Sequence, residues 1–344
     1  MKKLLLLVTA LTPLIFANAQ DDKEPYMTKS LSSENIKAAK VETSGGSIYV
    51  SGVAGSEARV EVYIRGANSK NQYTKEEIAK KLEEDYELNV SVSDNKVTAI
   101  ARQKRNNMNW KNALSISFKL YIPTASNTNL ATSGGSIHLD NLNGTHDFAT
   151  SGGSLHIDKL SGKIKGRTSG GSISIAHSKD NIDLHTSGGS ITAEDCIGTL
   201  ELITSGGSLN LKDLLGSVEA RTSGGSIRGN DIKADLVAHT SGGNVDLKDV
   251  SGSLDAATSG GGIHVELTEL GKFVKLSNSG GNINLTIPGN KGIDLKLSGS
   301  RINTGSLKNF SGKMEEDEVD GTLNGGGIPV TVRSSSGRVT LSLK

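Results

Sequence analysis

Four aspartates, Asp195, Asp213, Asp231 and Asp249, recur eighteen residues apart. Carboxylates stacked at strand spacing repel one another, and Ca²⁺, which takes several oxygen ligands, would relieve that repulsion. Aspartate also suits a turn, where its side chain bonds its own backbone, and Lys212 and Lys248 lie close enough to offset the charge. The series is therefore expected to be turn residues, with Ca²⁺ binding as the alternative. His138, His156 and His264 share one phase of the same period, and His185 and His239 share another. His138 and His156, from adjacent copies, could hold a metal between them, but no third ligand accompanies them and a solvated face is expected. Flat sugars stack on aromatic rings, and from Thr132 to Ser277 the aromatic residues are Phe148 and Phe273 alone. A sugar contact is thus better sought on the basic loop from Arg102 to Lys111. There Trp110, Arg105 and Lys111, with Tyr121 beyond them, form the candidate binding set, although an ordinary loop with the tryptophan folded back onto the cap is the expected arrangement. Glu315, Glu316, Asp317, Glu318 and Asp320 form a charge run expected to be a solvated loop. No spacing singles out a Ser-His-Asp or Cys-His set, so a non-enzymatic protein is expected.

These residues are placed by a repeat. Thr132-Ser133-Gly134-Gly135-Ser136-Ile137 returns at Thr150, Thr168, Thr186, Thr204, Thr222, Thr240 and Thr258, always eighteen residues on. A fixed short period marks a solenoid, in which a copy buries its apolar side by stacking on its neighbours. Counting the threonine as one, positions six, eight, eleven, fifteen and seventeen are mostly apolar, as in Leu209, Leu211, Leu214, Val218 and Leu200 with Leu202. The two-residue side-chain period sets these on one inward face together with the threonine, and the intervening charges face out. Each coil reads as two short strands, turning at Gly-Gly and again near position thirteen, where Gly144, Gly162, Gly198, Gly216 and Gly252 recur. Glycine at such corners supplies positive φ and close approach. Eight coils at roughly 4.8 Å would make a rod of roughly 40 Å. Left-handed hexapeptide acyltransferases also have eighteen-residue coils, but their aliphatic position every six residues is absent: six and twelve places after Ile137 stand Asn143 and Ala149.

The flanks depart from the period. Lys2, Lys3, an apolar run from Leu4 to Phe16 and Ala17-Asn18-Ala19 read as a signal peptide over residues 1–19, cleaved before Gln20. Residues 20–40 are polar and read as a tether. A first copy, Thr43-Ser44-Gly45-Gly46-Ser47-Ile48, precedes an insert holding a helix from about Lys75 to Tyr86, with Thr74 as N-cap and Glu77 three places on. Residues 41–131 are thus read as a first coil plus a small α/β cap, 132–277 as regular solenoid, and 278–344 as irregular C-terminal coils and cap. The chain has 344 residues, 42 of them glycine, and aromatics make up 3%, which suits a thin repetitive core. Cys196 is the single cysteine, so no intramolecular disulfide is possible. Loss of Lys2 and Lys3 takes the formal charge from +1 to −1, which gives no reason to expect nucleic acid or an anionic membrane as partner. No second long apolar run follows the signal, so no transmembrane segment is expected in the mature chain.

The exported N-terminus, the strand ending in Leu120-Tyr121-Ile122-Pro123 with Thr128 to Ala131 after it, and the serial Thr-Ser-Gly-Gly-Ser-Ile/Leu coils together resemble the bacterial DUF4097 family, labelled as candidate adhesins. The resemblance covers nearly all of the mature chain. It implies an all-β, single-stranded β-helix (β-solenoid), right-handed, and brings no catalytic residues. The expected role is an exported adhesin-like interaction or scaffold protein in the periplasm or at the cell surface, with a protein or glycan of the envelope as partner. The alternatives are a periplasmic carbohydrate-binding or carbohydrate-processing module, and filaments formed by end-to-end stacking of coil edges.

Overall fold

The computed structural model describes residues 24–68, 73–104 and 113–344, so the signal segment and Arg105, Trp110 and Lys111 lie outside the described residues. From Ile137 onward the chain is a β-solenoid. Strands such as Leu155–Thr168, Ile191–Thr204 and Leu209–Thr222 run from position six to the next repeat threonine. Each pairs in parallel with the copies before and after it, eighteen residues away, as Leu155 does with Ile137 and Ile173. The inward positions are closed to solvent: Leu209, Leu214, Val218, Leu200 and Leu202 are at most 1% exposed. At roughly 1.5–3 kcal/mol for each fully buried side chain, this stripe drives the stacking of coils against chain entropy.

The corners differ from the expected two-strand coil. In most copies the strand is continuous and bends at two residues with positive φ. Position ten lies at φ +50 to +55 in Asn141, Lys159, Asp195, Asp213, Asp231 and Asp249, and the position-thirteen glycines lie between +102 and +154. Single residues in these regions turn the strand while the parallel ladder resumes on either side, as at a bulge. The Thr168 coil alone among these divides, into Ile173–Ala176 and Lys179–Thr186, with Asp180 at φ +82 where five other coils have glycine.

The second glycine of the Gly-Gly pair is needed for clearance rather than for positive φ. A Cβ at Gly207 would lie 2.0 Å from the carbonyl oxygen of Gly189 in the preceding coil, and the same conflict recurs at Gly171, Gly189 and Gly225. The repeat threonine completes this corner. Thr204 Oγ1 donates to the Gly189 carbonyl at 2.7 Å and accepts from the Gly207 N–H at 3.3 Å, so one buried hydroxyl satisfies backbone groups of two coils. Asn278 takes over this role after the spacing lengthens: its Nδ2 donates to the Gly261 carbonyl and its Oδ1 accepts from Gly280 and Gly281.

Both ends of the array are built out of sequence order. The Thr43 copy stacks directly on the Thr132 coil, with Thr43 opposite Thr132 and Ile48 opposite Ile137. On its other side lie Lys96–Gln103 and Leu114–Pro123, which form a further coil-like layer. Antiparallel strands Tyr86–Ser93 and Arg59–Gly66 then flank that layer. Helix α1, Lys75–Asp85, carries the expected capping box of Thr74 and Glu77. The stretch read as a tether joins the fold before residue 40: Met27–Ser30 pairs with Arg59–Gly66, Leu31 and Ile36 are buried, and the first coil starts at Ala38. Two apolar side chains five residues apart were too sparse to reveal it by periodicity. At the C-terminus the Ser334 copy lies between the Asn278 and Ser298 copies, Val339 pairing with both Ile283 and Ile302. The spatial order of these copies is therefore not their order in the chain. The acidic run belongs to an antiparallel hairpin of Phe310–Met314 and Glu318–Leu323, where Lys313 pairs with Glu315 and Glu318. Among the described residues no helix is long and apolar enough to cross a membrane.

Candidate binding face

Position seven points outward, and in three successive coils it holds a ring: Tyr49 stands opposite His138, and His138 opposite His156. Parallel register forces these side chains into a column. The rings of Tyr49 and His138 stack with centroids 4.3 Å apart at 9°, and those of His138 and His156 at 4.5 Å and 14°. Lys119 closes the Tyr49 end, its Nζ 5.8 Å from the Tyr49 ring centre and 4.6 Å from that of Tyr63. At the other end the next coil offers Ser174 opposite His156, and this small side chain leaves the outer face of the exposed His156 ring uncovered. The column borders an open groove of about 590 Å³ that Tyr121, Asp140, Asp158, Ser174 and Ala176 also line.

The electrostatics suit a neutral stacking surface edged by acceptors. Burial and then the neighbouring His156 push the His138 pKa down to about 4, so this imidazole is uncharged at neutral pH. Burial opposes charge on Asp158, but hydrogen bonds with His177 and Lys159 outweigh it and hold the carboxyl below its usual range. The contacts are His177 Nδ1 to Asp158 Oδ1 at 2.6 Å and Lys159 Nζ to Oδ2 at 2.9 Å. The Ser51 hydroxyl donates to Asp140 at 3.3 Å, and so faces a carboxylate and not an imidazole. What the groove offers is ring faces and hydrogen-bonding groups for a hydroxylated or planar ligand.

Of the binding residues expected from sequence, Tyr121 lines this groove, though the Arg59 guanidinium covers its ring at 3.7 Å. Arg105, Trp110 and Lys111 lie outside the described residues. His264 stands opposite Asp246 and Asn284, far along the rod from the His138 and His156 pair. Asp195, Asp213, Asp231 and Asp249 are exposed and occupy the left-handed corner that Asn141, Lys159 and His177 occupy in earlier coils. Asparagine and aspartate favour that conformation, and the lysine and histidine show that the corner does not depend on charge. Lys212 Nζ reaches Asp213 at 3.5 Å. Among the described residues, the histidine and carboxylate ligands that do converge are those of Asp183, His185 and Glu201. Sequence reasoning missed Tyr49, although counting from Thr43 gives it the same position seven as His138 and His156. Lys119 and Tyr63 carried no such signal: parallel pairing with the insert strand Leu114–Pro123 sets Lys119 opposite Tyr49, and the antiparallel strand Arg59–Gly66 brings in Tyr63.

Residues 179–342 match the family described as Toastrack DUF4097. Two solved structures are similar to this chain. One is a candidate cell adhesion protein from Clostridium sporogenes ATCC 15579, 10% identical, covering 92% of this chain and 98% of that chain with a TM-score of 0.18. The other is a candidate adhesin from Bacteroides fragilis NCTC 9343, 16% identical, covering 75% of this chain and 96% of that chain with a TM-score of 0.30. No curated protein matches the chain significantly.

Proposed function

We propose that this chain, of the DUF4097 family over residues 179–342, is an exported, non-enzymatic interaction protein of the adhesin-like kind, acting at the cell envelope. The rod serves as a rigid spacer and the groove beside Tyr49, His138 and His156 as its contact face. The observation that carries this reading is the ring column, which ends in an uncovered imidazole beside an open groove. Rings locked by ladder register lose little entropy on contact, and that favours binding. The test is binding of the labelled full chain to envelope fractions, alongside protease shaving of intact cells. His156→Ala with Tyr49→Ala should weaken binding about tenfold or more, as loss of a central aromatic anchor does. Undiminished binding by the double variant would overturn the assignment of the face. Turnover of a polysaccharide, abolished by one outward acidic substitution, would overturn the non-enzymatic reading.

A second reading, a periplasmic carbohydrate-binding or carbohydrate-processing module, is favoured by the Asp140 and Asp158 carboxylates beside the His156 ring, since sugars take ring faces and acceptors together. A glycan screen with no hit would remove it. Filament formation by end-to-end stacking would have to start from the antiparallel strands at either end. Monodisperse monomer at high concentration would rule it out.

A further inference from the structure

On the other outward face, Lys179–Thr186 and Ile191–Thr204 pair in parallel and set Asp183 opposite Glu201, with His185 two residues along from Asp183. His185 Nε2 lies 2.9 Å from Asp183 Oδ1 and 3.5 Å from Glu201 Oε1. One ligand atom from each of the three residues lies within 4.8 Å of the others. Asp183 Oδ1 and His185 Nε2 are shielded from solvent, yet neither makes an aligned hydrogen bond. Arg167 binds the other oxygen of Asp183, Oδ2, at 3.0 Å and so orients the carboxylate while leaving Oδ1 facing the histidine. Among the described residues Glu201 has no lysine or arginine within ion-pair distance, so two carboxylates here share one permanent cation.

The same face carries an internal contrast three coils on. His239 Nδ1 accepts from Arg221 at 2.8 Å, its Nε2 lies 3.1 Å from Asp255, and Lys275 reaches the same carboxylate at 3.1 Å. There the imidazole and the carboxylate are both saturated by protein cations. At His185 they are not.

We infer that Asp183, His185 and Glu201 form a binding site for a transition-type divalent cation such as Zn²⁺, on a face of the rod separate from the ring column. Zn–N and Zn–O bonds of about 2.0–2.2 Å at the tetrahedral angle place ligand atoms roughly 3.3–3.6 Å apart. Of the two separations to His185 Nε2, 3.5 Å falls within that range and 2.9 Å lies below it, so small side-chain rotations suffice. One imidazole with two carboxylates is a borderline donor set that suits Zn²⁺ better than the all-oxygen shells of Ca²⁺ or Mg²⁺. The Asp183 to Arg167 bond supplies the outer hydrogen bond that ligating carboxylates require. The fourth position faces solvent beside a groove of about 560 Å³ lined by His185, Thr186 and Ser187, which leaves room for water or a donor from a partner.

The test is calorimetric titration of the full chain with ZnCl₂ at neutral pH, repeated with Co²⁺, whose visible absorption reports four-coordinate geometry. One ion per chain is expected, with an intense Co²⁺ band. His185→Ala and Glu201→Gln should each weaken binding about tenfold or more, since changes even to outer-shell partners commonly do so. His239→Ala should leave it unchanged. Circular dichroism establishes that each variant is folded. No binding up to millimolar Zn²⁺, unaltered binding by folded His185→Ala, or an equal loss in His239→Ala would each overturn the assignment.

Discussion

Gly206 and Gly207 are neighbours in one corner and identical in composition, yet substitution by alanine should separate them sharply. A Cβ on Gly207 would lie 2.0 Å from the Gly189 oxygen, 2.4 Å from its carbon and 2.6 Å from the Ser190 nitrogen. Ordinary carbon–oxygen contact is near 3.5 Å, so the two coils must part by more than an ångström. The bonds that would stretch are those holding the corner shut: Gly206 N–H to the Ser187 carbonyl at 2.9 Å, Thr204 Oγ1 to the Gly189 carbonyl at 2.7 Å, and Ser208 N–H to Ser190 Oγ at 3.1 Å. Losing three bonds at about 1 kcal/mol each, with overpacking of about 1–3 kcal/mol, gives about 4–6 kcal/mol. At Gly206 the nearest atoms are 3.5 Å away and φ is not in the left-handed region. Gly206→Ala should therefore be neutral or stabilising by up to about 1 kcal/mol, through the lower entropy of the unfolded chain. Urea unfolding of both variants, followed by far-ultraviolet circular dichroism, checks the pair. If Gly207→Ala lies within about 1 kcal/mol of the parent, or if both variants fall equally, the clearance argument is wrong.

Three further outcomes follow from the same geometry. Thr204→Val, which keeps shape but removes the hydroxyl bridging Gly189 and Gly207, should cost about 1–3 kcal/mol by the same unfolding assay, because two buried backbone groups lose their partner. His146 is fully buried at position fifteen, where the next coil has Ile164, and its Nε2 has no hydrogen-bond partner. Burial pushes its pKa down from 6.5 to about 4, so between those values the unfolded chain binds a proton that the folded chain refuses. Stability should be complete above pH 6.5 and fall as pH drops toward 4, by up to about 3 kcal/mol from this group, and His146→Leu should flatten that slope. Cys196 is fully buried and burial raises its thiol pKa to about 11, so iodoacetamide should label it at neutral pH only after the rod is unfolded, as mass spectrometry would show.

The array was legible because each rule was repeated in every copy. Position six is apolar in every copy from Ile137 to Ile263, and a two-residue period then sets the inward face without reference to any distant residue. The corner chemistry was half legible. That glycine was required could be read from its recurrence, but whether Gly135 or Gly207 served positive φ or clearance depends on the coil beneath, eighteen residues away. The ends were the least legible. The Thr43 and Ser334 copies carry the motif, yet each is slotted between two layers that follow or precede it in the chain, and strand order is a matter of pairing rather than of pattern.

The ring column shows why the candidate site escaped a reading that found the rod. Phasing alone equates Tyr49 with His138 and His156, since all three are position seven of a copy. They become neighbours only because the insert folds beneath the first copy, so that Tyr49 reaches the array across eighty-nine residues of chain; the Asn141 side chain bonding the Gly52 carbonyl spans the same separation. The groove then exists because the column stops: a fourth ring in place of Ser174 would cover His156 and fill the space beside it. The repeat supplies the register and its interruption supplies the opening, so binding is to be sought where the array meets its cap. The same logic applies to Asp183, His185 and Glu201, where a periodic face of paired charges lacks one cation. In a solenoid this regular, departures from the consensus at outward positions are the places where a ligand can be distinguished from the scaffold.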